Sequence, residues 1–423
     1  MKKTVLALAL PLLLNAQSIP SLFDALKSHA QIKSDTLLVK KSEIQKEMVN
    51  SSLYPKVDLF ASYDNYNEAT GMLPVPPNKL MNMVKDQSIA QPFSNNIYKA
   101  GAKFSMPLFV KSIYTTAKKA EAMQQSAKAK KHINILKNEA LIVGANANFL
   151  YLVSLTKALN GKEKSLLETK KTIQIKVDNG RSPASALYKI NDSLNEIAIA
   201  KNNIELQKKK LISTIESLTG VHLDAPVAMR QTASYEKGAL GSLKPLQEKI
   251  KADRINMQAQ KEKLYPALYA HGSYVYSKAQ AYNNDKDINE EYGNIGVVLN
   301  IPILEMNQYD SIALAKIELH STEIELEKVR DELNAQAQML ETSLPLLDNS
   351  LKLYTQSVQN KKKLLAIAKV NYNNGRLSTE EYLRYEDAVV TQEANLYKTK
   401  ATKWQTLMSL AVIYANNIEE MVK

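Results

Sequence analysis

The same short phrases occur twice in this chain, in the same order. Leu53-Tyr54-Pro55 returns as Leu264-Tyr265-Pro266, and Ser62-Tyr63 as Ser273-Tyr274, both at an offset of 211. Gly101, Met106-Pro107 and Asn179-Gly180-Arg181 return as Gly296, Ile301-Pro302 and Asn374-Gly375-Arg376 at an offset of 195. Two copies of one unit of roughly 200 residues constrain the chain to two similar substructures, so the unit is what must be read. The offset falls by 16 between the two sets, which gives the first copy a longer loop between its Tyr-Pro and Met-Pro elements.

Within each copy the patterns run helix, strand, loop, strand, very long helix, tight turn, long helix. In the first, Ser21 to Ser52 reads as an amphipathic helix stopped near Pro55, because the residue before proline avoids helical geometry. Strand 56–66 comes next, with Val57, Leu59, Ala61 and Tyr63 on one face and Asp58, Ser62 and Asp64 on the other. In strand 98–108 Tyr98, Ala100, Ala102, Phe104 and Met106 alternate with polar residues or Gly. The second copy repeats the pair at 267–276 and 292–301. Four strands of about ten alternating residues suit a half-buried sheet of a soluble domain or the staves of a membrane barrel. Between the strands, residues 67–97 carry Pro74, Pro76, Pro77 and Pro92, and residues 277–291 are short and polar. Met72, Met81 and Met83 are soft-metal ligand types, but loop packing is the simpler account of them.

The long helices dominate the mass. Ser112 to Asp178 and Asn307 to Asn373 have no stop except Gly144 and Gly161 in one and Pro345 in the other, enough for about 100 Å each at 1.5 Å per residue. Ile312, Leu319, Leu326, Leu333, Leu340, Leu347 and Tyr354 recur at every seventh residue, the period of a coiled-coil seam. Pro345 is expected to bend or break that helix. Both helices end in Asn-Gly-Arg, a C-cap with Gly in the left-handed region, and helix-starting residues come directly after, giving antiparallel hairpins with tips near 179–183 and 374–378. The organisation expected is repeat 1 over 17–219, a linker over 220–241, repeat 2 over 242–417 and a tail over 418–423.

Met1-Lys2-Lys3, the apolar run Val5 to Leu14 and Asn15-Ala16-Gln17 have the form of a secretory signal peptide over 1–16. No later stretch reads as an uninterrupted apolar span of about 18 residues. The absence of Cys excludes disulfides, thiolate metal sites and a lipid anchor through Cys. A formal charge of +12 admits a nucleic-acid or membrane partner, yet the Lys residues alternate with Glu along helices, as solvated helix faces do. No nucleophile, base or metal cluster stands at workable spacing, so no catalytic, cofactor or metal site and no nucleic-acid partner is assigned. An open four-stranded sheet in lipid leaves two edges unsatisfied, so several chains must complete one barrel.

The duplicated layout resembles the TolC-like outer-membrane efflux proteins of Gram-negative bacteria. So do the strand ends at Tyr54-Pro55, Tyr265-Pro266, Met106-Pro107 and Ile301-Pro302, and the run Tyr372, Gly375, Ser378, Glu381-Tyr382-Leu383. The resemblance covers about residues 20–417. It implies an internally duplicated α+β membrane protein: a homotrimer whose four strands per chain complete a 12-stranded barrel in outer-membrane lipid, above a coiled-coil α-helical periplasmic tunnel. It also implies an efflux or type I secretion conduit, loaded by an inner-membrane RND or ABC transporter through a periplasmic adaptor. The tips Asn179, Gly180, Arg181, Asn374, Gly375, Arg376 and Ser378 would meet the adaptor, and Glu381 would line the entrance constriction. Departures are Arg384 at a position often acidic, Leu377 where a gating Arg is usual, and Ala186 and Lys189 in the matching stretch of copy one. A periplasmic coiled-coil adaptor and a structural envelope protein are the competing readings.

Overall fold

The computed structural model describes residues 18–423; the expected signal peptide lies outside them. The chain divides into two compact units, one of 18–39, Ala127–Pro245 and Leu326–Lys423, the other of Lys40–Ser126 and Leu246–Glu325. Each unit takes segments from both halves of the sequence, so the compact units are not the sequence repeats.

The element order is α1 (Ile19–Ser28), α2 (Ala30–Ser51), β1 (Lys56–Gly71), α3 (Pro77–Lys85), β2 (Phe93–Phe109), α4 (Lys111–Asp178), α5 (Ser185–Thr219), α6 (Lys244–Glu262), β3 (Ala267–Gln280), β4 (Asp287–Asn300), α7 (Met306–Asn373), α8 (Thr379–Tyr414) and α9 (Ile418–Met421). The single helix expected over 21–52 is two. Ser18 caps α1 through Ser21 N, and the chain breaks at His29, whose ψ of 161° is extended. The break turns Ile19, Leu22, Phe23 and Leu26 into a core with Ile142, Phe149, Ile215, Met408 and Ile418.

The second unit holds one antiparallel sheet, ordered β1-β2-β3-β4. The strands run 14 to 17 residues, longer than the expected ten, because the alternation continues into stretches that proline and asparagine marked as loop. Register aligns one apolar face across all four strands: Leu59 opposes Ala102, Ala102 opposes Tyr274, and Phe104 opposes Gly272, which opposes Ile295. That face is uncovered, with Leu59 83% and Ile295 82% exposed. The opposite face carries Lys56, Asp58, Asp64, Lys99, Lys103, His271 and Asn294, including a Lys99–Asp64 ion pair at 3.3 Å. On this polar face a Cβ at Gly101 would stand 3.0 Å from the Phe60 ring, and one at Gly296 would stand 2.9 Å from His271. Phe60 and His271 are equivalent under the 211 offset, and the two glycines under the 195 offset, so the same ring-over-glycine pairing is built twice. Among the described residues the outer edges of β1 and β4 have no partner strand.

Beyond β1, Met72 is only 2% exposed and packs with Ile97 and Ala279, which accounts for it as packing. The short loop after β3 grips the longer one: Asn283 Nδ2 donates to Gln87 O at 3.0 Å and Ile89 O at 2.9 Å, and Asn284 Nδ2 to Ser88 O at 3.1 Å.

The helices α4 and α7 are each 68 residues long. Pro345 does not break α7, which runs unbroken from Met306 to Asn373. Proline inside a helix costs about 3 kcal/mol. Here Leu333, Ala337, Leu340 and Leu344 pack with Leu410 and Ile413 around the site and offset that cost. The heptad positions Ile312 to Tyr354 are all buried or half-buried, as a seam requires. The most apolar stretch of α4 has the length and composition to cross a membrane, a correction to the sequence reading; half of it is buried within the protein. Residues 220–241 and 418–423, expected as linker and tail, are tied together. Arg230 N donates to Lys423 O at 2.7 Å, Lys423 N to Arg230 O at 3.0 Å, and Val422 is fully buried.

Candidate functional site

The two hairpin turns belong to the first unit and share one construction. At the end of α4, Gly180 N donates to Val177 O at 2.9 Å and Arg181 N to Lys176 O at 2.7 Å; at the end of α7, Gly375 N donates to Tyr372 O at 3.0 Å and Arg376 N to Asn371 O at 2.9 Å. This paired closure needs a left-handed residue, and Gly180 and Gly375 have φ of 67° and 71°. No atom stands within 4 Å of a Cβ built on either glycine, so backbone conformation and not space demands them. Asn179, Arg181, Asn374, Arg376 and Ser378 are all exposed.

The turns differ in how the next helix begins. Ser378 and Glu381 form a capping box: Glu381 N donates to Ser378 Oγ at 3.2 Å, and Glu381 Oε2 accepts from Ser378 Oγ at 2.7 Å and Ser378 N at 2.9 Å. Those hydrogen bonds hold the Glu381 carboxyl below its usual range. Glu381 is thus a cap of α8. The equivalent start of α5 has Ala184 at the cap with no side-chain hydrogen bond, and the helix begins at Ser185.

Sequence reasoning missed the neighbouring acid. Glu380 accepts from Lys189 at 3.2 Å and from Arg384 at 3.0 Å, and the two cations, Lys189 first, hold its carboxyl below the ordinary range. Lys189 and Arg384 are equivalent under the 195 offset, so one carboxylate is shared by the same basic position of both copies. The Glu380–Arg384 spacing of four was a legible signal; the link to Lys189 was not, because it joins distant segments.

Behind the turns the hairpins are joined through aromatic and acidic groups. Tyr372 stacks on Tyr382 at 4.9 Å, with Lys176 5.8 Å from the Tyr372 ring. Tyr382 donates to Glu386 Oε1 at 2.9 Å and lies 3.1 Å from Ser165 Oγ, while Lys162 bonds Asp387. Burial pushes the Tyr382 hydroxyl up to about 12.

Residues 242–415 of a chain built in this way match the family model of the outer membrane efflux protein. Solved structures match the fold of nearly the whole chain. The outer membrane channel CmeC of Campylobacter jejuni aligns at a TM-score of 0.77 and 16% identity, covering 94% of this chain and 85% of that one. VceC, an outer membrane protein of Vibrio cholerae, aligns at 0.75 and 12%, covering 94% and 96%. Residues 242–415 thus carry the sequence pattern of the outer membrane efflux protein family, and nearly the whole chain shares the fold of these channels. The open-state MtrE outer membrane channel of Neisseria gonorrhoeae shares the same fold at 0.72 and 14% identity, covering 94% and 89%. No curated protein matches this chain in sequence.

Proposed function

We propose that this chain is an outer-membrane efflux protein, three copies of which close one 12-stranded barrel and form the exit duct of a tripartite efflux or type I secretion system. The observation that carries this is the sheet: four strands, an exposed apolar face and two edges that are unpaired among the described residues. A membrane tolerates such edges only when they pair, and neighbouring copies supply the partners. The helices support the same reading. Leu346, Leu353 and Ile367 on α7, spaced by 7 and 14, are exposed, as are Ile199 and Leu206 on α5, spaced by 7. Heptad residues with nothing of their own chain on them suit packing against another copy.

In this reading the hairpin turns form the periplasmic entrance. A periplasmic adaptor meets Asn179, Gly180, Arg181, Asn374, Gly375, Arg376 and Ser378 and connects the duct to an inner-membrane RND or ABC pump. Glu381 keeps its charge, bound to Ser378 and to no base, and three such charges around one axis favour cations. Glu380 is neutralised by Lys189 and Arg384 and ties the two hairpins of one chain together. Planar-bilayer recording of purified trimers tests this. Cation-selective conductance that loses selectivity in Glu381→Gln is expected; protein that extracts without detergent and never conducts would refute it.

A further inference from the structure

Glu386 on α8 is only 4% exposed, yet half of its carboxyl group is unsatisfied. Oε1 accepts from Tyr382, whose hydroxyl also meets Ser165 of α4; Oε2 is buried and has no hydrogen-bond partner. The groups around it come from three helices. On α4, Lys162 bonds Asp387, the exposed neighbour, and leaves Glu386 without a direct cation; Lys157 lines the same groove. On α7, Lys362 is bonded to Glu393 of α8 at 2.7 Å, Lys369 faces the groove, and Tyr372 covers Tyr382. On α8 itself are Tyr382, Asp387, Glu393 and Tyr397. The groove they border has a volume of about 710 Å³, room for α4, α7 and α8 to repack without disturbing a solid core.

A neutral carboxylic acid tolerates this position; an ionised one with a bare buried oxygen does not. We propose that Glu386 is a protonation-controlled latch that holds α8 against α4, closed while the acid is neutral and loosened when its proton passes to water. The proposal rests on the reading of the hairpin turns as the duct's entrance. Burial is the largest influence on Glu386 and raises its carboxyl, against the lowering effect of the nearby Ser165 and Tyr382 hydroxyls and of the Lys162 charge. The packed arrangement therefore binds the proton more tightly than the separated one, so acid favours packing, and packing is lost as pH rises through the raised value. Release gives Lys162 a second carboxylate to bond, next in sequence to its present partner. The entrance of this chain is tightest when the periplasm is acidic.

The chain has no Cys, so a labelled pair is specific. Spin labels at Lys164→Cys on α4 and Thr391→Cys on α8, both exposed positions, report the separation of the two helices in the full-length trimer. With one linked proton, the ratio of separated to packed species should rise with pH, by at most about tenfold per pH unit. Glu386→Gln should hold the short distance throughout, and Glu386→Leu, which removes the polar group altogether, should do the same. A distance distribution indifferent to pH, or one that titrates equally in Glu386→Gln, would overturn the latch. Conductance measured on the same trimers separates this from the channel reading, because trimers that conduct while their distances ignore pH refute the latch alone.

Discussion

Replacing Glu139 by Gln should abolish most of the pH dependence of the core that packs α1 and α9 onto α4. Glu139 is 3% exposed, and burial first, then the charge of Glu419, raises its carboxyl to about 8, with Lys27 opposing. Moving a carboxyl from 4.5 to about 8 amounts to about 5 kcal/mol of preference for the neutral form. The folded state holds this proton and the unfolded state releases it. Stability therefore falls with rising pH by about 1.4 kcal/mol per unit between 4.5 and about 8, and is level above. In Glu139→Gln that slope disappears: the variant equals the parent near pH ~5 and exceeds it by about 3 to 5 kcal/mol above pH ~8. Amide hydrogen exchange of α1 and α9, corrected for intrinsic rates, reads the difference directly. An identical slope in parent and variant would show that Glu139 is ionised in the folded protein and that its burial is compensated elsewhere.

The sheet and the turns give further expected outcomes. Ile295→Lys places a charge on the face turned to lipid and should destabilise the barrel by about 2 to 4 kcal/mol if the residue lies near mid-membrane, measured by denaturant titration of trimers in lipid. Gly296→Val forces a side chain into the His271 ring and should lower the yield of folded trimer, with His271→Ala in the same chain restoring part of it. Ser378→Ala removes the cap of α8 and should cost about 1 kcal/mol, seen as faster exchange confined to its first turn. Glu380→Gln should weaken the tie between Lys189 and Arg384 at low salt and have little effect at high salt, read as cross-linking between α5 and α8.

Local repetition was legible in the sequence. The alternation of Val57, Leu59, Ala61 and Tyr63, the heptads from Ile312 to Tyr354 and the two Asn-Gly-Arg turns each write their geometry in neighbouring residues. Contacts between distant segments were not legible. The link from Lys189 to Glu380, the contact of Ser165 with Tyr382 and the pairing of Arg230 with Lys423 join residues that no period relates. Pro345 misled because local chemistry favours a break, and only the packing of Leu340 and Leu344 explains its absence. The cap at Ser378 was legible too, in the spacing of three between Ser378 and Glu381.

In a closed barrel of three copies, β1 of one copy pairs with β4 of the next. Single cysteines placed on the outer edge of β1 and of β4, joined by a bifunctional reagent in outer-membrane vesicles, test it most directly. A covalent trimer with no larger species is the expected product. A ladder of higher multimers, or bridges formed only within one chain, would contradict that pairing.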